Sequence, residues 1–169
     1  MTAVAEQTST ARRARRLIDK ALEHQMRGDI RRATLLLERS IELHETAEAW
    51  CYLGWCHSFR GRLSRAIAHC RRAIALDPEY GNAYNDIGAY LVELERPEEA
   101  ARWFARAKGA SRYATPQFPY LNTARLHIAA GRHSEALMEL QAARIIAPLD
   151  ERIDELVEYV GALIGAQAA

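Results

Sequence analysis

The sequence predicts an all-α fold, a solenoid of stacked helical hairpins, and three observations predict it. The stretch "AEAWCYLGWCHSFRGRLSRAIAHCRRAIALDP" aligns with "GNAYNDIGAYLVELERPEEAARWFARAKGASR", and the same residue types recur in phase. The period extends outward: Ala66 to Ala100 is 34 residues, Ala33 lies 33 before Ala66, and Ala136 lies 36 after Ala100. Small residues also recur where two helices of one hairpin must approach closely. A hairpin of this kind leaves one apolar face uncovered, so its neighbours must stack on it.

Taken in order, residues 1–10 (MTAVAEQTST) are small and polar and read as a flexible segment. The repeat region spans 11–150 as four units, near 14–46, 47–80, 81–114 and 117–150. In the first helix of each unit Ala21, Gly54, Gly88 and Ala124 supply the close approach. Ala33, Ala66, Ala100 and Ala136 supply it from the second helix. Gly28, Gly61 and Gly131 stand at the turns between them, where the chain needs positive φ after a helix end. Unit three departs from this with Glu95, and Pro97 opens its second helix. Pro78 and Pro148 stop second helices. After Pro148, Ile153, Leu156, Val157, Val160 and Ile164 form one helical stripe, predicting a helix over 151–164 that caps the last unit, with 165–169 as a tail.

The pattern of Trp50, Leu53, Gly54, Ala66, Ala73 and Pro78, echoed by Tyr84, Ile87, Gly88, Ala100, Phe104 and Ala107, resembles the tetratricopeptide repeat family. The resemblance covers about four fifths of the chain, and Lys20 and Thr123 depart from it where apolar residues are usual. It implies a right-handed α-solenoid whose first helices line a concave, ligand-binding groove. It also implies a non-catalytic module that binds a protein or peptide partner. Mapped onto this chain, the predicted lining includes Arg15, Ile18 and Leu22 from unit one, then Cys51, Trp55 and Phe59 from unit two. Asn82 and Asn85 follow from unit three, and Phe118, Leu121, Asn122 and Arg125 from unit four. Trp55, Phe59 and Leu121 are expected as apolar anchors. The asparagines are expected to bond a peptide backbone, and Arg125 a carboxylate. The basic clamp with which some members hold acidic chaperone tails is absent, its places reading Ile18, Leu22, Tyr52, Asn82 and Asp86. Two further readings stand beside the adaptor: a homo-oligomeric scaffold whose basic N-terminal helix enters a neighbour's groove, and a chaperone of the bacterial secretion type. The segment "SRYATPQFPY" (111–120) inserts two residues between units three and four and is expected to shape one lip of the groove.

Composition narrows the classes further. A net charge of +1 over 169 residues gives no bulk case for nucleic acid or an anionic membrane. The run "RRARR" (12–16) reads as a helix start. Three cysteines make no disulfide framework, and no apolar run spans a bilayer, so a cytoplasmic protein is expected. Cys51 and Cys56 lie about 140° apart on one helix and cannot share a metal; Cys56 and Cys70 read as small buried hydrophobes, and no metal or cofactor is expected. His24, His57 and His127 recur at one repeat position and read as packing residues. His44, His69 and His133 read as unpaired residues near helix ends. No catalytic constellation is present, which argues against an enzyme.

Overall fold

The computed structural model describes residues 2–167, with side chains from 6 to 166. Among these residues there are nine helices and no strand: α1 (Thr2–Met26), α2 (Ile30–Leu43), α3 (Ala47–Ser58), α4 (Leu63–Leu76), α5 (Gly81–Glu93), α6 (Pro97–Lys108), α7 (Phe118–Ala129), α8 (His133–Ile146) and α9 (Glu151–Gln167). Helices pack in sequential pairs, α1 on α2 through α7 on α8, and each second helix leans on the next first helix. The first helices α3, α5 and α7 also touch in series, forming the inner layer of the solenoid. α9 packs on α8 and buries Ile153 and Val160 completely, so the apolar stripe read from the sequence does cover the last hairpin.

The repeat positions explain the pairing. Ala21, Ala33, Ala66, Ala100, Ala124 and Ala136 are all fully buried. At Gly54 an added Cβ would lie 3.0 Å from the Ala66 carbonyl oxygen and 3.2 Å from Cys70 Sγ. At Gly88 it would lie 2.4 Å from the Phe104 ring. Nothing bulkier fits at that crossing.

All four hairpin turns close in the same way. An amide three or four residues beyond each first helix reaches back to a carbonyl five residues earlier: Asp29 to His24, Arg62 to His57, Arg96 to Leu91 and Arg132 to His127. The recurring histidine position is therefore the acceptor end of each turn. Gly28, Gly61 and Gly131 take φ of 77°, 66° and 70°, and Glu95 takes the same left-handed conformation at 58°. A side chain there costs about 1 kcal/mol or more. Glu95→Gly is accordingly expected to stabilise the chain by roughly 0.5–1 kcal/mol, after the entropy glycine adds to the unfolded state. Urea unfolding measures this; a lower midpoint in the variant would contradict it.

Two ends differ from the sequence reading. Helix α1 begins at Thr2 rather than after a flexible 1–10, because no Gly or Pro interrupts the chain before Gly28 and its small residues are compatible with helix. α9 runs on to Gln167 through the expected tail, and residues 168–169 lie outside the described chain.

Candidate functional site

The candidate site lies on the inner face of α3 and α5, bounded by the loop before α7. Glu48 and Tyr52 of α3, Tyr80 and Asn82 at the start of α5, and the loop from Ser111 to Ala114 surround an open cavity of about 470 Å³. Its shape depends on the inserted loop. Gly81 N–H donates to the Arg112 carbonyl at 2.9 Å and Arg112 N–H to the Glu79 carbonyl at 3.0 Å, a short parallel bridge between the two unit junctions. Ser111 adds its backbone N–H and hydroxyl to the Glu79 carboxylate, at 3.1 and 2.6 Å, which holds that carboxyl below its usual range. Arg112 pairs with Asp77 and lies 5.0 Å over the Tyr80 ring. The Tyr113 ring packs where a Cβ on residue 81 would stand, 2.7 Å away, so Gly81 is required for the loop to seat.

Burial raises the phenols of Tyr52, Tyr80 and Tyr113 above their ordinary value, with Asp86 acting in the same direction on all three. They remain neutral at physiological pH, each offering an apolar ring and a hydroxyl that both donates and accepts. On the α1 side, Arg15 donates to Glu48 at 2.5 Å and to Asp19 at 3.1 Å. Farther along the face, the Trp55 and Phe59 rings meet at a tilt of 52° with centroids 4.2 Å apart, Phe59 being 62% exposed. Toward unit four, Arg125 donates to Asn122 at 3.1 Å and Asn122 to Asn85 at 2.9 Å.

The predicted lining therefore divides. Arg15, Trp55, Phe59, Asn82, Asn85, Asn122 and Arg125 reach the surface or its edge. Ile18, Cys51 and Leu121 are a correction: at 1%, 3% and 0% exposure they are core, each covered by a neighbouring helix. Ile18 packs in the cluster holding Ala49 and Leu53 of α3, and Leu121 in the cluster closed by α9. Leu22 is half-buried against the first of these clusters. Phe118 turns to the last cluster, with Arg152 of α9 5.1 Å over its ring. Cys51 faces Asp86 of α5, donating to Oδ2 at 3.0 Å, rather than the groove. The thiol is pushed well up by its contact with Cys70 and by burial, and burial holds the Asp86 carboxyl up at about 6.

Helix α1 is continuous from Thr2 to Met26, so the N-terminal residues it contains do not fold back onto Trp55. His69 is also corrected. It sits mid-α4, stacked on Trp50 (5.3 Å) and against His57 (4.9 Å). Sequence reading missed Tyr80 and Tyr113 as a pair, although their spacing of 33 residues is the repeat period itself. Arg112 carried no comparable signal.

Residues 47–80 match the family model described as tetratricopeptide repeat. No curated protein matches the chain. Among solved structures, pilF of Pseudomonas aeruginosa is similar with a TM-score of 0.82 and 18% identity, over 90% of this chain and 69% of that one. PilW, described as a widely conserved type IV pilus biogenesis factor, gives 0.78 and 21% over 90% and 70%. YrrB, described as a TPR protein with an unusual peptide-binding site, gives 0.60 and 20% over 86% and 75%. No described helix is long and apolar enough to cross a membrane.

Proposed function

We propose that this chain, a tetratricopeptide-repeat solenoid and hence a protein-interaction module, holds an extended segment of a partner protein along its inner face without catalysis. The observation that carries the reading is the row of half-open aromatic and amide groups running from Phe59 through the cavity at Tyr52, Tyr80 and Tyr113. Aromatic faces bury partner side chains at low entropic cost, and neutral phenols and Asn82 bond the partner's backbone. The ion pairs of Arg15 and Arg112 occupy their own carboxylates, so acidic selectivity falls to Arg125, whose remaining donors are free of any acidic partner among the described residues.

Peptides selected from a displayed random library against the wild-type chain test this. Phe59→Ala and Asn82→Ala are each expected to weaken the selected peptides about tenfold, the size of one interface anchor. Leu35→Ala, on exposed α2, is expected to leave them unchanged. Equal losses at all three positions, or loss only at Leu35, would move the binding surface off the inner face.

A further inference from the structure

Beneath the cavity, a second constellation joins units two and three. Cys51 of α3, Cys70 of α4 and Asp86 of α5 bring two sulfur atoms and a carboxylate oxygen within 4.8 Å of one another. Both cysteines are buried, at 3% and 0% exposure, while Asp86 is half-buried. No Arg or Lys pairs with Asp86 among the described residues; the Cys51 thiol, a weak donor, and the neighbouring Asn85 side chain are the groups that bond it. Tyr90, one turn further along α5, is 4% exposed and its hydroxyl has no hydrogen-bond partner. Asp86, Cys70 and Cys51 are the charges that act on that hydroxyl, and Ser58, whose own proton goes to the Trp55 carbonyl, lies beside it. A half-buried carboxylate with no cation beside it is costly in a core that apolar residues would fill more cheaply.

We propose that Cys51, Cys70 and Asp86 bind a divalent cation of the zinc class. Thiolate bonds of about 2.3 Å and a carboxylate bond of about 2.1 Å set donors roughly 3.5–3.8 Å apart around a tetrahedral ion. The three donor atoms already lie within 4.8 Å of one another, near that spacing. Two thiolates select zinc over calcium or magnesium. Binding releases the two thiol protons to solvent, and the ligands' three negative charges against the ion's two leave less uncompensated charge than a four-cysteine site carries. The fourth position is left for water. Because the ligands come from α3, α4 and α5, the ion ties two units together under the groove. Cys56, the third cysteine, points away to Gln25 of α1 and takes no part.

Cobalt(II), added to reduced, chelator-treated full-length chain, tests the site. One equivalent is expected to produce a thiolate-to-cobalt charge-transfer band of two-sulfur intensity, bleached by one equivalent of zinc, with a rise in Tm. Cys70→Ala is expected to halve or abolish the band. Asp86→Asn, which keeps the shape of the core, is expected to weaken cobalt affinity at least about tenfold, as even outer-shell losses do. Cys56→Ala is expected to leave both unchanged. Absence of the band in wild type, its loss in Cys56→Ala, or a Cys51–Cys70 disulfide detected by mass in place of metal would each overturn the proposal. The wild-type band and the Asp86→Asn affinity decide the matter even where a cysteine variant fails to fold.

Discussion

Gly88→Ala, which ordinarily favours a helix, is expected to destabilise this chain by about 1–3 kcal/mol, and to stabilise it once Phe104 is cut back to alanine. The added methyl would lie 2.4–2.9 Å from three atoms of the Phe104 ring, and that ring is 1% exposed with no free direction to move. Overpacking of this kind outweighs the roughly 1 kcal/mol that alanine gains over glycine in a helix. Phe104→Ala alone is expected to cost about 3–5 kcal/mol through lost transfer energy and the cavity left behind. In the double variant the clash is gone, the new methyl fills part of the cavity, and the helix preference reappears. Urea unfolding of the four proteins measures a coupling of about 2–4 kcal/mol in the double variant's favour, the relieved clash plus the recovered helix preference. Additive effects would mean that α5 and α6 do not cross at Gly88.

The second large effect concerns acid. His69 is held down to about 4 by burial, by His57 and by Arg65. His57 is lowered by burial and then by Arg62, Arg65 and Arg60, with Glu38 opposing. For a base whose folded value lies below its unfolded value of about 6.5, the unfolded chain binds more protons in the window between them. Stability is therefore complete above pH 6.5 and lost as pH falls toward 4. For His69 the loss is on the order of 2 kcal/mol, after allowance for partial solvent access. Asp86, raised to about 6, works with the opposite sign: its contribution is present below 3.8 and lost as pH rises through 6. In chelator-treated protein, His69→Phe, which keeps a ring on Trp50, should flatten the acid loss, whereas Asp86→Asn should steepen it. Unfolding midpoints at pH 7, 6, 5 and 4 measure both; parallel curves for the three proteins would refute the assignment.

The sequence was most legible where one residue type answers one geometric demand. The alanines at 33, 66, 100 and 136, Gly54 and Gly88 state the helix crossings, and Gly28, Gly61 and Gly131 state the turns. Glu95 showed that the rule is about conformation, since it adopts the glycine geometry regardless. The inner face was less legible because helical phase assigns residues to a direction but not to a neighbour. Cys51 has the right phase for the groove, yet Asp86 of α5 arrives against it. Ile18 fails for the same reason, covered by α3. What closes a flank of one first helix is the next hairpin, about 34 residues away, and no local pattern announces it. His69 was misplaced more simply, by counting it near an end when it sits in the middle of α4.

The bridge between Tyr80 and Arg112 has a mechanical consequence. A helical hairpin is joined at one end by its turn and free to splay at the other. In unit three the free end is also fastened, by two backbone hydrogen bonds, the Ser111–Glu79 contacts and the Arg112–Asp77 pair. That hairpin behaves as a closed frame, while its neighbours behave as open springs. Bending of the solenoid is therefore expected at the junctions on either side of unit three, and the cavity, which sets Glu48 and Tyr52 of α3 against that frame, changes width with the first of them.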